Sequence, residues 1–303
     1  MPMTSTVDCV LDAGATLGEG IVWDASAQRL WWVDIAAPAL HRFDPATGKN
    51  ETWAMPSAIG CVAPRADGEA VVGLEDGWCA FDPATGAVEI LNAEAPGASG
   101  MRFNDGCVDP AGRFWAGTMP KAGPANAAAG EPGNGLLFRL DADGTSPRIL
   151  DGLYTQNGLA FSPDGSVMYL SDSHPAVRTI WAFDFHLESG TPTNRRVFFD
   201  TRQVAGRPDG AAMDAEGCYW MAGIEGWQVV RITPAGGINR IIEVPVEKPT
   251  CLAFGGPRLD TLYLTCMGPG LITPGSEARQ PRAGGLFALN PGVPGYAPPP
   301  CAA

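Results

Sequence analysis

The chain has 303 residues, 45% of them hydrophobic, with 39 glycines and 28 prolines, which is the make-up of a turn-rich globular protein and not of a disordered or fibrous one. Its net charge of −13 disfavours nucleic acid and anionic membranes as partners, and no apolar run reaches the length of a transmembrane helix. The eight cysteines form no CxxC pair and read as small buried hydrophobes of a reducing compartment. Met1-Pro-Met-Thr has neither the basic nor the apolar region of a secretory signal, so a cytoplasmic location is expected.

In chain order, Val7 to Asp12 reads as a strand, and Glu19 to Asp24 opens a pattern that then recurs. Asn104 to Asp109, Asn157 to Ser162 and Asp209 to Asp214 align with it without a gap, and Ile59 to Pro64 and Thr250 to Gly255 keep the same frame. The opening residues, Glu19, Ile59, Asn104, Asn157, Asp209 and Thr250, recur every 40 to 53 positions, a period that signals a propeller or a solenoid.

Each repeat continues through a second apolar strand: Arg29 to Asp34, Ala70 to Leu74, Arg113 to Gly117, Val167 to Asp172, Cys218 to Gly223 and Thr261 to Cys266. A third follows: Ala39 to Phe43, Gly77 to Phe81, Gly135 to Leu140, Thr179 to Phe183, Gln228 to Ile232 and Gly285 to Leu289. Turn residues close most units, as in Asp44-Pro-Ala-Thr-Gly48 and its duplicate Asp82-Pro-Ala-Thr-Gly86. A fourth short strand completes the unit, for example Ser146 to Leu150, Arg196 to Phe199 and Ile238 to Val244.

These features predict an all-β fold, a six-bladed β-propeller with four antiparallel strands per blade, filling residues 1–303 as one domain. After Leu289 comes a Pro- and Gly-rich tail, 290–303, with no outer strand for the sixth repeat. The N-terminal strand is therefore expected to close the ring. Glycine follows the opening position at 20, 60, 158 and 210, as crowded backbones near a narrow axis require.

The opening positions bring two carboxylates and two carboxamides to one level of the expected channel. Glu19, Asn157 and Asp209 offer hard oxygen donors to a divalent cation. Strand-end capping explains Asp24, Asp109, Asp143, Asp164 and Asp214, but not residues that stand before their strands. Alternation along a strand puts the residues two positions earlier, Leu17, Ser57, Arg102, Thr155, Arg207 and Lys248, on the same side. Arg102 then shares a face with Asn104. For Arg207 and Lys248 two readings stay open, contact with a substrate carboxylate or ion pairing with nearby acids.

The segments Leu17-Gly-Glu-Gly20, Arg102-Phe-Asn-Asp-Gly106, Gln156-Asn-Gly-Leu-Ala160 with Ser162-Pro-Asp-Gly165, and Pro208-Asp-Gly210 together resemble the gluconolactonase and senescence-marker-protein family, also called the regucalcin family. The resemblance runs from about Leu17 to Leu289. It implies one divalent metal in the channel on Glu19, Asn157 and Asp209, with calcium or zinc ahead of manganese, magnesium and iron(II). It also implies substrate binding by Arg102 and Asn104, Asp209 as acid/base, and a sugar lactone as small-molecule substrate. No obligatory protein partner is implied.

Water attack on a lactone carbonyl suits a bound cation with a carboxylate base beside it. There is no Gly-x-Ser-x-Gly elbow, and His41, His174 and His186 form no metal motif. His174 could reach the channel mouth or simply tie down a turn. Two long loops, Met119 to Asn134 and Met267 to Ala283, leave equivalent blade positions and are expected over the lactone as a lid. A flexible surface excursion is the other reading, favoured at the tip of the first by the run Ala127-Ala-Ala129. Two other functions fit the pattern: a non-catalytic metal-binding propeller acting as regulator or scaffold, and a metal-dependent aryl esterase or phosphotriesterase.

Overall fold

A computed structural model describes residues 6–93, 96, 100–123, 125–126 and 129–303; Met1 to Thr4, and Ala127 and Ala128 of the first long loop, lie outside the described residues. The chain forms six four-stranded antiparallel sheets, the blades of a β-propeller. The innermost strands are Gly18–Asp24, Ile59–Pro64, Met101–Val108, Gln156–Phe161, Arg207–Met213 and Pro249–Gly255, and they define blades 1 to 6. Five blades take their strands in chain order from the axis outward. The sixth takes its outer strand from Val7–Leu11, which pairs with Leu286–Leu289, so the ring closes through its first strand as expected.

Alternating side chains place one apolar row of each blade against the next blade, and the core is accordingly divided into six clusters, one at each blade–blade boundary. Trp31, Trp78, Trp115 and Trp220 are fully buried in four of them. Truncating any one would cost about 3–5 kcal/mol by the usual cavity and transfer terms.

Every innermost strand breaks its register just after the opening position, for instance between Glu19 and Val22, Asn157 and Ala160, and Pro208 and Ala211. These bulges explain the glycines. Gly158 has φ +55, and a Cβ there would sit 2.2 Å from the Tyr219 hydroxyl; one on Gly60 would sit 2.4 Å from the Phe103 carbonyl oxygen.

The tail lies across the end of the channel away from the opening residues. Tyr296 N donates to Met213 O at 3.0 Å, Gly295 N to Leu259 O at 2.7 Å, and Cys301 N to Pro64 O at 2.8 Å, so it spans from blades 5 and 6 to blade 2. Tyr296 and Pro298 floor an axial cavity of about 70 Å³. Both long loops leave the opposite end.

Candidate active site

Asp24, Asp109 and Asp214 do what turn-capping aspartates do, accepting from backbone N–H groups two to four residues on. The opening positions behave differently. Ile59 is fully buried apolar packing, and Thr250 joins blades 6 and 1 by donating to Gly18 O. The other four are buried polar groups at the head of the channel.

Asn104 and Asn157 meet directly, with Asn104 Nδ2 donating to Asn157 Oδ1 at 3.1 Å and to Gln156 O at 2.7 Å. Arg102 Nη1 donates to Asn104 Oδ1 at 2.8 Å and to Phe103 O at 2.9 Å. Among the described residues its Nε and Nη2 donors have no protein partner, and Arg102 makes no ion pair. Burial lowers its proton affinity, while the carboxylates of Glu19, Glu75 and Asp209 act the other way. A half-buried guanidinium with unused donors is equipped to take an oxygen-rich ligand.

Glu19 is 7% exposed and Asp209 3%. Among the described residues neither has an ion-pair partner, and the Asp209 carboxylate accepts no hydrogen bond. Burial, then the charge of Asp105, pushes the Glu19 carboxyl up to about 8. Burial, then the charge of Glu19, holds Asp209 well above the usual carboxylate range. Two desolvated acids that repel each other, with no ion-pair partner among the described residues and only the more distant charges of Arg102 and Arg207 to offset them, are hard-oxygen donors whose chemistry fits a divalent cation. Among the described residues no cluster of three His, Cys, Asp or Glu could hold a metal; a cluster confined to those four types leaves out an amide donor such as Asn157.

Asp105 escaped the sequence reading. Strict alternation turns it away from Asn104, but the bulge at Phe103/Gly106 lets it line the axial cavity below, where Leu159 N donates to it at 2.9 Å. Burial pushes its carboxyl up to about 6. The signal was there: at this column the other blades carry Gly20, Gly60, Gly158, Gly210 and Cys251, so a carboxylate stands out.

The residues two positions earlier split by blade. Arg207 is held by both oxygens of Glu225, at 3.0 and 2.9 Å, and by Ser173 O at 2.7 Å. Lys248 donates to Leu271 O at 2.8 Å and lies 3.9 Å from Glu225. Ion pairing is thus the reading that fits Arg207. His174 ties down its turn, with Ala176 N donating to Nδ1 at 3.2 Å and the ring against Tyr154.

The long loops are anchored. Lys121 pairs with Glu75 of blade 2, and Tyr154 Oη donates to Glu131 O at 2.8 Å. In the second loop Thr273 N donates to Glu247 at 2.9 Å, and Gln280 accepts from Glu247 N at 2.8 Å.

Fold and site define a six-bladed β-propeller with buried acids at one end of its channel and the C-terminal tail across the other. The family model for the SMP-30/Gluconolactonase/LRE-like region matches residues 17–268, and the chain belongs to this family. It is 39% identical to the 6-deoxy-6-sulfogluconolactonase of Pseudomonas putida over 98% of this chain and 99% of that one. It is 35% identical to a pentonolactonase of Haloferax volcanii, over 94% of each. A calcium-binding regucalcin of Agrobacterium tumefaciens superposes with a TM-score of 0.88 at 27% identity, covering 99% of this chain and 98% of that one.

Proposed function

We propose that this chain is a metal-dependent lactonase that opens an aldonolactone to the sugar acid, with Glu19, Asn157 and Asp209 as metal ligands, Arg102 and Asn104 as substrate-binding groups and Asp209 as acid/base. The lactonase class follows from membership of the family and from relatives named as lactonases over nearly their full length. The observation that carries the site is the pair Glu19 and Asp209, buried and without an ion-pair partner among the described residues, near the unused donors of Arg102.

A divalent ion on Glu19, Asn157 and Asp209 would supply Lewis-acid polarisation of the lactone carbonyl. The protein's own groups do the rest. Arg102 donates from Nε and Nη2 to substrate oxygens, and Asn104, whose Nδ2 is fully used, accepts a ring hydroxyl at Oδ1. Asp209 takes the proton released as water adds to the acyl carbon and returns it to the ring oxygen as the C–O bond breaks. The Lys121–Glu75 pair and the Glu247 anchors hold the two loops beside the mouth as a partial lid.

A charged rim of Arg102, Lys121, Glu75, Arg207, Glu225 and Lys248 suits a polyhydroxylated substrate better than an aryl ester or phosphotriester. An acid-sugar lactone would have to address Arg102, since Glu225 neutralises Arg207 and Glu75 neutralises Lys121. The test is a pH-stat panel of five- and six-membered aldonolactones, neutral and acidic, beside an aryl acetate. Preference for an aldonolactone supports the reading; preference for the aryl ester, or no turnover, overturns it.

A further inference from the structure

Hydrogen bonds at the channel head form one directed chain across three blades. Arg102 Nη1 donates to Asn104 Oδ1 at 2.8 Å, Asn104 Nδ2 to Asn157 Oδ1 at 3.1 Å, Asn157 Nδ2 to Ser173 Oγ at 2.7 Å, and Ser173 Oγ to the carbonyl of Pro208. Chemistry dictates the direction at both ends, because a guanidinium only donates and a carbonyl only accepts. The orientation of both amides follows from those ends. Turning the Asn157 amide over would set its Nδ2 against the Nδ2 of Asn104. It would also leave its Oδ1 facing a hydroxyl whose proton is committed to Pro208.

Ser173 is where this chain leaves blade 4. The residue is 3% exposed, and its backbone is fixed on both sides, since its N–H donates to Thr155 O at 2.9 Å and its carbonyl accepts from Arg207 Nη1 at 2.7 Å. Arg207 is in turn clamped by Glu225. Pro208 immediately precedes Asp209, so one hydroxyl touches both the amide of Asn157 and the strand that carries Asp209. Ser173 is not a nucleophile, because its proton is held by Pro208 O and the neighbouring His174 ring accepts from Ala176 N.

We propose that Ser173 is a positioning residue: it orients the Asn157 amide with its oxygen away from the hydroxyl, and ties that amide in register with Asp209. This rests on the reading of Asn157 and Asp209 as metal ligands. Outer-shell partners of metal ligands commonly carry about 10- to 100-fold of metal affinity, and a hydroxyl with two defined partners belongs in that class.

The experiment compares the full-length wild type with S173A, S173T and D209N. Calorimetric titration with calcium, zinc, manganese, magnesium and iron(II) is combined with thermal unfolding of each chelated protein and with kcat and KM at saturating metal. S173A should bind metal about 10- to 100-fold more weakly, melt like the wild type when chelated, and keep its KM. S173T, which retains the hydroxyl, should recover most of the affinity. Wild-type affinity in S173A overturns the proposal. So does a loss of affinity matched by a fall in chelated melting temperature in both Ser173 variants, since that reports a packing role. If the wild type binds none of these ions, the metal-ligand reading fails and the proposal fails with it. If the wild type binds, D209N does not, and S173A is unchanged, the proposal alone fails.

Discussion

Glu19, contributed by blade 1, raises the proton affinity of Asp209, contributed by blade 5: its charge is the largest influence on Asp209 after burial. Removing either charge should relieve the chelated protein and cripple its binding of metal. D209N is expected to melt higher than wild type near neutral pH after chelation, and to bind a divalent ion about 10-fold more weakly or worse. Differential scanning calorimetry with and without metal measures both.

The pH dependence of the chelated protein follows from the same groups. Glu19 lies up at about 8 and Asp105 at about 6, with Asp209 raised in the same direction. A carboxyl whose value is raised by folding contributes its stabilisation below the unfolded carboxyl range and loses it as pH rises through the folded value. Acids with lowered values, such as Glu51 and Asp184, act below that window. Burial holds the His41 imidazole down at about 4, which adds stability as pH rises to the ordinary imidazole range. The urea midpoint of chelated protein should therefore fall from about pH 7 to about pH 9, while metal affinity rises over the same span because binding displaces protons. A midpoint that rises with pH over that span would contradict the assignment.

If Arg102 binds the substrate as proposed, it does so through the shape of its donors as well as its charge. R102K keeps the charge but cannot hold Asn104 and substrate together, so kcat/KM for the preferred lactone should fall roughly 10²-fold. Steady-state kinetics at saturating metal decide; a loss under about 3-fold would remove Arg102 from the substrate site.

Gly158 should not tolerate a side chain. Its φ of +55, and the Tyr219 hydroxyl 2.2 Å from where a Cβ would stand, together put the cost of G158A at roughly 2–3 kcal/mol, read as a lowered urea midpoint. G48A, at a position with open space but φ +74, should cost less.

The tail is a fastener. Deleting 294–303 removes the bonds to Met213, Leu259 and Pro64 and the buried Cys301, opening the floor of the axial cavity. A loss on the order of 3 kcal/mol is expected, seen as a lower melting temperature for chelated and metal-loaded protein alike.

Much of this architecture was legible in the chain. The strands Arg29–Asp34, Ala70–Leu74, Val167–Asp172 and Thr261–Cys266 have the bounds their apolar runs suggest, because both faces are buried and turn residues mark both ends. Ring closure by Val7–Leu11 was legible because the sixth repeat lacks an outer strand. The channel was only half legible. Alternation finds Arg102 from Asn104 but fails across a bulge, which hides Asp105. Pairing of Arg207 with Glu225 joins residues 18 positions apart through a turn in which Glu225 and Trp227 both take positive φ, and no local pattern announces it. The link from Asn157 through Ser173 to Pro208 crosses two blades, so it exists only in the folded ring. The floor under the channel was likewise invisible, since a Pro- and Gly-rich tail carries no strand signal of its own.

Metal dependence of lactone opening is decided by one comparison. The initial rate on the preferred aldonolactone is followed in a pH-stat for protein stripped by chelation and for the same protein after each divalent ion is restored. The expected result is a stripped rate close to the uncatalysed one and recovery with at least one ion, with D209N failing to recover. Equal rates before and after chelation, with no ion accelerating either, would contradict it.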